Sequence, residues 1–126
     1  MSLRSHLARV RGLGSAKSGT AHWWSQRLTA LALVPLTIWF VASLIGMAGA
    51  DYYTARAWIG SPMVAGLLIL LIVATFYHAY LGLQVVIEDY VHDEGLKIAG
   101  LLLVKAAALV LALTGVLAVL TILFKG

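Results

Sequence analysis

The residues best suited to chemistry lie in one stretch, "FYHAYLGLQVVIEDYVHDE", from Phe76 to Glu94. His78 stands inside an apolar run, about fifteen residues and roughly 22 Å from its start at helical rise. An ionisable group at such depth in a bilayer is costly, and it normally faces protein or a cavity. Three uses suit an imidazole there: ligation of haem iron, proton transfer, or a hydrogen bond to a neighbouring helix. Thr75, His78, Gly82, Val85 and Asp89 recur at intervals of three and four, which places them on one helix face. Gly82, one turn from His78, leaves a gap that fits either a flat macrocycle or a closely packed helix. No second deep histidine exists in the chain. A bis-histidine haem would therefore take its other ligand from another subunit or a second copy.

Two further groups of residues lie near the ends of apolar runs. "HWWSQRLTA" opens the first run with His22 and Arg27. A guanidinium pairs bidentately with carboxylates, so haem propionates are natural partners. The plainer reading makes Trp23 and Trp24 an interfacial belt and Arg27 a topology charge. Ser25 is read as a cap or a ligand contact. At the far end of the second run stand Glu88, Asp89, Tyr90, Asp93 and Glu94. Glu88 and Asp89 meet the negative end of their own helix and call for a cationic partner. Asp93 and Glu94 instead favour the start of the next helix. Tyr90 can donate a phenolic hydrogen bond at headgroup level, suited to a quinone carbonyl. It lies about 120° around the helix from His78, so the two need not serve one ligand. Lys105 is expected to snorkel and is assigned no chemistry. His6 and His92 are read as exposed, with His92 able to join an interface with a soluble partner.

These residues are positioned by membrane helices. Of 126 residues, 62 % are hydrophobic and 11 % charged. Soluble domains carry about 25 % charged residues, so this chain cannot cover a water-facing surface. Three apolar runs, about 28–48, 63–89 and 96–124, are each long enough to cross ~30 Å of hydrocarbon. The expected fold is a single all-α membrane domain of three transmembrane helices over 1–126. Residues 1–27 are read as a cytoplasmic arm retained in a bacterial protein. Arg4, Arg9, Arg11, Lys17 and Arg27 all precede the first run, which puts the N-terminus inside and the C-terminus on the outer side. Pro35 is expected to kink the first span, and Pro62 suits the first turn of the second. Tyr52, Tyr53 and Trp58 in the first connection are expected at headgroup level.

The net charge of +4 accompanies no basic helix face or aromatic platform, which argues against nucleic acid. With no cysteine, the chain cannot hold a thiolate-ligated iron–sulfur cluster or form a disulfide. It also lacks a dinucleotide-binding glycine motif, so it is not expected to be catalytic alone.

The segment "HAYLGLQVVIEDY", with its histidine, nearby glycine and terminal Asp-Tyr, resembles the second-helix motif of the D-type membrane-anchor subunit of succinate dehydrogenase. The opening "GSAKSGTAHWWSQRLTALAL" is similar to bacterial members of that family. The length, the three-helix plan and the basic arm agree, and the resemblance covers most of the chain. It implies partnership with a flavoprotein subunit, an iron–sulfur subunit and a C-type cytochrome b anchor in the bacterial inner membrane. It also implies haem b shared with the C-type anchor, and ubiquinone as substrate. By the same resemblance His78 matches the haem ligand. Arg27, and less securely His22, match groups near the propionates. Tyr90 and Asp89 match the quinone site. The competing readings are an anchor of a quinol:fumarate reductase and a cofactor-free membrane scaffold in which His78 only bonds another helix.

Overall fold

The computed structural model describes the backbone of residues 16–125 and the side chains of 19–125. Most of the expected basic arm lies outside the described residues. The described chain is entirely helical: α1 (Ala16–Gly46), α2 (Tyr52–Ile59), α3 (Pro62–Tyr90) and α4 (Glu94–Lys125). Among the described residues, α1, α3 and α4 are long and apolar enough to cross a membrane. The chain is thus a multi-pass membrane protein with three spans.

The ends of these helices follow local rules. Pro62 occupies the first turn of α3, where its missing N–H costs nothing. Asp93 caps α4, its Oδ1 accepting from the Leu96 amide at 2.9 Å. α1 closes in a turn that contains Gly49 at φ +85°, a conformation that favours glycine.

Two departures from the sequence expectation concern local structure. α1 begins at Ala16, well before the apolar run, so residues 16–27 are helical. Ser25 is therefore inside the helix and caps nothing. Its carbonyl serves a hydrogen bond from Thr29 instead. The first connection contains a short helix, α2, started by Asp51, whose Oδ1 accepts from the Thr54 amide at 2.8 Å. The Thr54 side chain first, and its amide second, hold the Asp51 carboxyl below the ordinary carboxylate range by hydrogen bonding to it. Tyr52 and Tyr53 are exposed, as headgroup-level aromatics would be. Trp58 is not: it stacks on Trp39 at 5.9 Å between ring centroids and joins the apolar core.

α3 lies at the centre. It packs against α1 on one side and α4 on the other, while α1 and α4 do not pack together among the described residues. The paired positions run oppositely along each seam, so neighbouring spans are antiparallel. The buried core is small. Ala65, Leu68 and Val119 form its centre at the α2 end, with Trp39, Phe40 and Trp58 packed around it. An open three-helix layer leaves its broad faces apolar and exposed, including Leu31, Ile45, Met63 and Leu103. In water such a surface would drive association. In a bilayer it meets lipid or further helices.

A polar seam between the first and second spans

The α1–α3 contact is polar through the part of the molecule away from the α2 end. Thr29 of α1 brings its Oγ1 to 2.8 Å from His78 Nδ1 of α3. The same oxygen lies 2.8 Å from the Ser25 carbonyl and 3.0 Å from the Gln26 carbonyl, both in its own helix. A helical threonine commonly bonds back in this way. One turn along the seam, Gln26 sits over Gly82. A Cβ built on Gly82 would lie 3.7 Å from Gln26 Nε2. The gap anticipated at Gly82 is therefore filled by an amide of this same chain. His22, Gln26 and Thr29 fall at i, i+4 and i+7, which explains why they share one face of α1.

This seam contains polar atoms with no partner. His22 Nε2 and Gln26 Oε1 are buried and make no hydrogen bond among the described residues. An orphaned buried polar group costs about 1–3 kcal/mol. Two such atoms lie on one face of α1. His78 itself is half-buried, and its Nε2 makes no hydrogen bond among the described residues.

The remaining residues singled out from sequence stand elsewhere. Arg27 is exposed, with its guanidinium 5.3 Å from the Trp23 ring centroid. It lies about 140° around α1 from His22, so the two address different sides of the helix. Asp89 and Tyr90 end α3 and are exposed, Tyr90 at 77 %. Glu88 accepts from Gln84 Nε2 at 3.1 Å, a pairing along the same helix. Along α3, Tyr90 is about 18 Å from His78. The chain alone thus joins His22, through Gln26 and Thr29, to the His78 face, and leaves Arg27, Asp89 and Tyr90 projecting outward.

Thr29 and Gln26 had no place in the sequence-based site. Their signal was present: both are polar and lie on the His22 face of α1. What was missing was the register of α1 against α3, which local sequence does not set.

On the opposite side, α3 and α4 enclose an open groove of about 290 Å³ lined by Phe76, Tyr77, Tyr80, Lys105 and Ala108 among others. Its one charged group is Lys105, which is exposed. No group of three or more His, Cys, Asp or Glu residues that could hold a metal occurs among the described residues.

An open layer of three spans, with an ionisable polar seam inside it, defines an integral membrane subunit of the kind built to meet other chains. Comparison with known proteins gives this class its family. Residues 1–124 match the family described as "Succinate dehydrogenase/Fumarate reductase transmembrane subunit", and the chain belongs to it. It is 31 % identical over 116 residues to a succinate dehydrogenase hydrophobic membrane anchor subunit of Rickettsia bellii, covering 92 % of this chain and 93 % of that one. The corresponding subunit of Rickettsia conorii is 30 % identical over 124 residues, covering 98 % and 96 %. That of Paracoccus denitrificans is 32 % identical over 81 residues, covering 64 % and 63 %. The likeness to the D-type anchor drawn from His78 to Tyr90 is borne out.

Proposed function

We propose that this chain, as a membrane anchor of succinate dehydrogenase, helps to bind haem b and to form the site where ubiquinone is reduced. It would do so beside a C-type cytochrome b anchor, below an iron–sulfur subunit and a flavoprotein subunit, in the bacterial inner membrane. The basic residues before the first span put the N-terminus on the cytoplasmic side, so Asp89 and Tyr90 reach that side as well.

The observation that carries this reading is the state of His78. It is a half-buried imidazole within a membrane span, with Nδ1 engaged by Thr29 and Nε2 unbonded among the described residues. The orphaned His22 Nε2 and Gln26 Oε1 on the facing helix add polar atoms that lack partners among the described residues. This donor set fits a haem, with His78 Nε2 toward the iron and His22 toward a propionate at the membrane edge; Arg27, the other residue proposed for the propionates, stands on a different side of α1 and does not join that set in the chain alone. Bound haem supplies one-electron redox chemistry. The chain contributes an oriented ligand and a site shielded from water.

Reduction of a quinone to a quinol takes two electrons and two protons, and the electrons would arrive through the iron–sulfur subunit. Tyr90 projects from the end of α3, where its hydroxyl can donate to a quinone carbonyl lodged against partner subunits. Asp89, beside it, either tunes a neighbouring cation or passes protons from the aqueous side.

A second reading draws on the same bond. In a cofactor-free scaffold His78 would tie α3 to α1, and it does meet Thr29 at 2.8 Å. A reduced-minus-oxidised optical spectrum separates the two. The complex is purified through a tag on this chain, with wild type beside His78→Ala. The haem reading expects a b-type signal that disappears in the variant. An identical signal in both preparations removes His78 as ligand. A wild-type complex that turns over succinate and quinone without haem leaves His78 as a structural tie.

A further inference from the structure

We propose that Thr29 is a positioning residue for His78: its hydroxyl fixes the proton on Nδ1 and so keeps Nε2 unprotonated and available as a ligand. The inference rests on the haem reading for its purpose, but its chemical content concerns this chain alone.

The argument is a count of hydrogens. Thr29 Oγ1 has three close neighbours: Ser25 O at 2.8 Å, Gln26 O at 3.0 Å and His78 Nδ1 at 2.8 Å. A threonine hydroxyl owns one hydrogen and two lone pairs. Both carbonyl oxygens can only accept. Suppose the hydroxyl spent its hydrogen on Nδ1. Its lone pairs would then face two carbonyl oxygens at hydrogen-bond distance with no hydrogen between them, which is repulsive. Spending the hydrogen on the carbonyls leaves a lone pair facing the ring. The 2.8 Å contact is then attractive only if Nδ1 carries a hydrogen and donates it. A neutral imidazole protonated at Nδ1 presents an unprotonated Nε2.

The setting reinforces this choice. The bond joins two antiparallel spans, within stretches long and apolar enough to cross the membrane. Water is scarce there, so a ring nitrogen has few alternative partners. Thr29 is β-branched, and its χ1 is restricted to rotamers that hold Oγ1 against the i−3 and i−4 carbonyls. The acceptor is therefore held by the α1 backbone. The bond fixes both the protonation site and the orientation of the ring. Metal-binding histidines commonly donate their second nitrogen to such an outer partner, and losing that partner weakens metal affinity about 10- to 100-fold.

The test uses the assembled complex with Thr29→Val, which keeps the branched shape without the hydroxyl, and Thr29→Ser, which keeps the hydroxyl. Two readouts are taken. Ring ¹⁵N NMR of histidine-labelled complex assembled under haem depletion reports the tautomer, since iron on Nε2 would itself dictate it, with the His78 signal assigned by its loss in His78→Ala. Haem per flavin, followed during dilution and washing, reports retention. The expected result is Nδ1–H with unprotonated Nε2 in wild type and Thr29→Ser. Thr29→Val should show a mixed or reversed tautomer and haem affinity weaker by about 10- to 100-fold. Wild-type Nδ1 found unprotonated overturns the proposal, whatever the haem content and without recourse to any variant. So does Thr29→Val with wild-type tautomer and retention, or equal loss of haem in Val and Ser. Wild type that carries Nδ1–H but no haem supports the tautomer assignment and instead removes the haem reading.

Discussion

The two seams of this molecule share their central helix yet are built by opposite rules. Between α3 and α4, glycines meet isoleucines. A Cβ on Gly115 would lie 3.2 Å from Ile72 Cγ2, and one on Gly100 would lie 3.6 Å from Ile87 Cδ1. At these two points the seam is apolar and closed by shape, as small residues allow when lipid offers no hydrophobic drive between helices. Between α1 and α3, shape is subordinate to polar groups. One glycine, Gly82, accommodates an amide, and a threonine meets a histidine. Among the described residues, the apolar seam leaves no buried side-chain polar atom unpartnered although it opens into a groove, whereas the polar seam leaves His22 Nε2 and Gln26 Oε1 without partners. The contrast separates a side of α3 whose contacts are apolar from one whose polar groups are only partly satisfied among the described residues.

Gly115→Leu tests the apolar side and should have the largest effect. The added side chain must displace the Cγ2 and Cδ1 atoms of Ile72, already 3.2 and 3.3 Å from the position of a Cβ. Overpacking of this kind costs about 1–3 kcal/mol and sometimes more. The expected outcome is a lower yield of assembled complex and an earlier thermal transition, with the haem spectrum unchanged in whatever assembles. A normal yield and transition would show that the α3–α4 seam is loose, and the contrast would fail.

Gln26→Leu tests the polar side, with a smaller and background-dependent effect. In a His78→Ala complex, removing a buried unpaired amide oxygen should raise stability by up to about 1–3 kcal/mol, read as a later thermal transition. If the seam holds haem as proposed, the same change in the wild-type background should lower haem retention, because it removes a polar atom of the seam. Equal thermal shifts in both backgrounds, with retention unaffected, would reduce Gln26 to packing against Gly82.

Much of this contrast was readable before the structure. The three spans follow from the lengths of the apolar runs, and the shared face of His78 and Gly82 follows from helical spacing. The Asp93 cap followed from its place before an apolar run, and its bond to the Leu96 amide agrees. The unread part has physical causes. The extension of α1 back to Ala16 is helical yet polar, so hydropathy carries no trace of its start. Trp58 reads as an interfacial aromatic because its stacking partner, Trp39, lies in another helix. Thr29 was hidden for the same reason: only the register of two separate helices pairs residue 29 with residue 78. Along the spans, Gly82, Gly100 and Gly115 meet neighbouring side chains, while Gly46 and Gly66 face open space. Sequence marks where close contact is allowed and tertiary register decides where it is used.

The smallest effect is expected at a site on neither seam, which makes it a control for both. Asp51 caps α2 through the Thr54 amide, and hydrogen bonding from the Thr54 side chain and then that amide holds its carboxyl below the ordinary range. A depressed carboxylate contributes stability above its unfolded-state value and loses it as pH falls through the lowered folded value. The cap is therefore fully present at neutral pH and fails only in acid. Asp51→Ala should hasten hydrogen exchange at the Thr54 amide at neutral pH and leave haem content and assembly unchanged. Asp51→Ser, which retains an accepting oxygen, should largely restore protection. Wild-type exchange should accelerate toward the Asp51→Ala rate only at pH below the usual carboxylate range. If Asp51→Ala instead disturbed haem retention, α2 would be coupled to the polar seam through Trp58 and Trp39, and the contrast between the two sides of α3 would no longer hold.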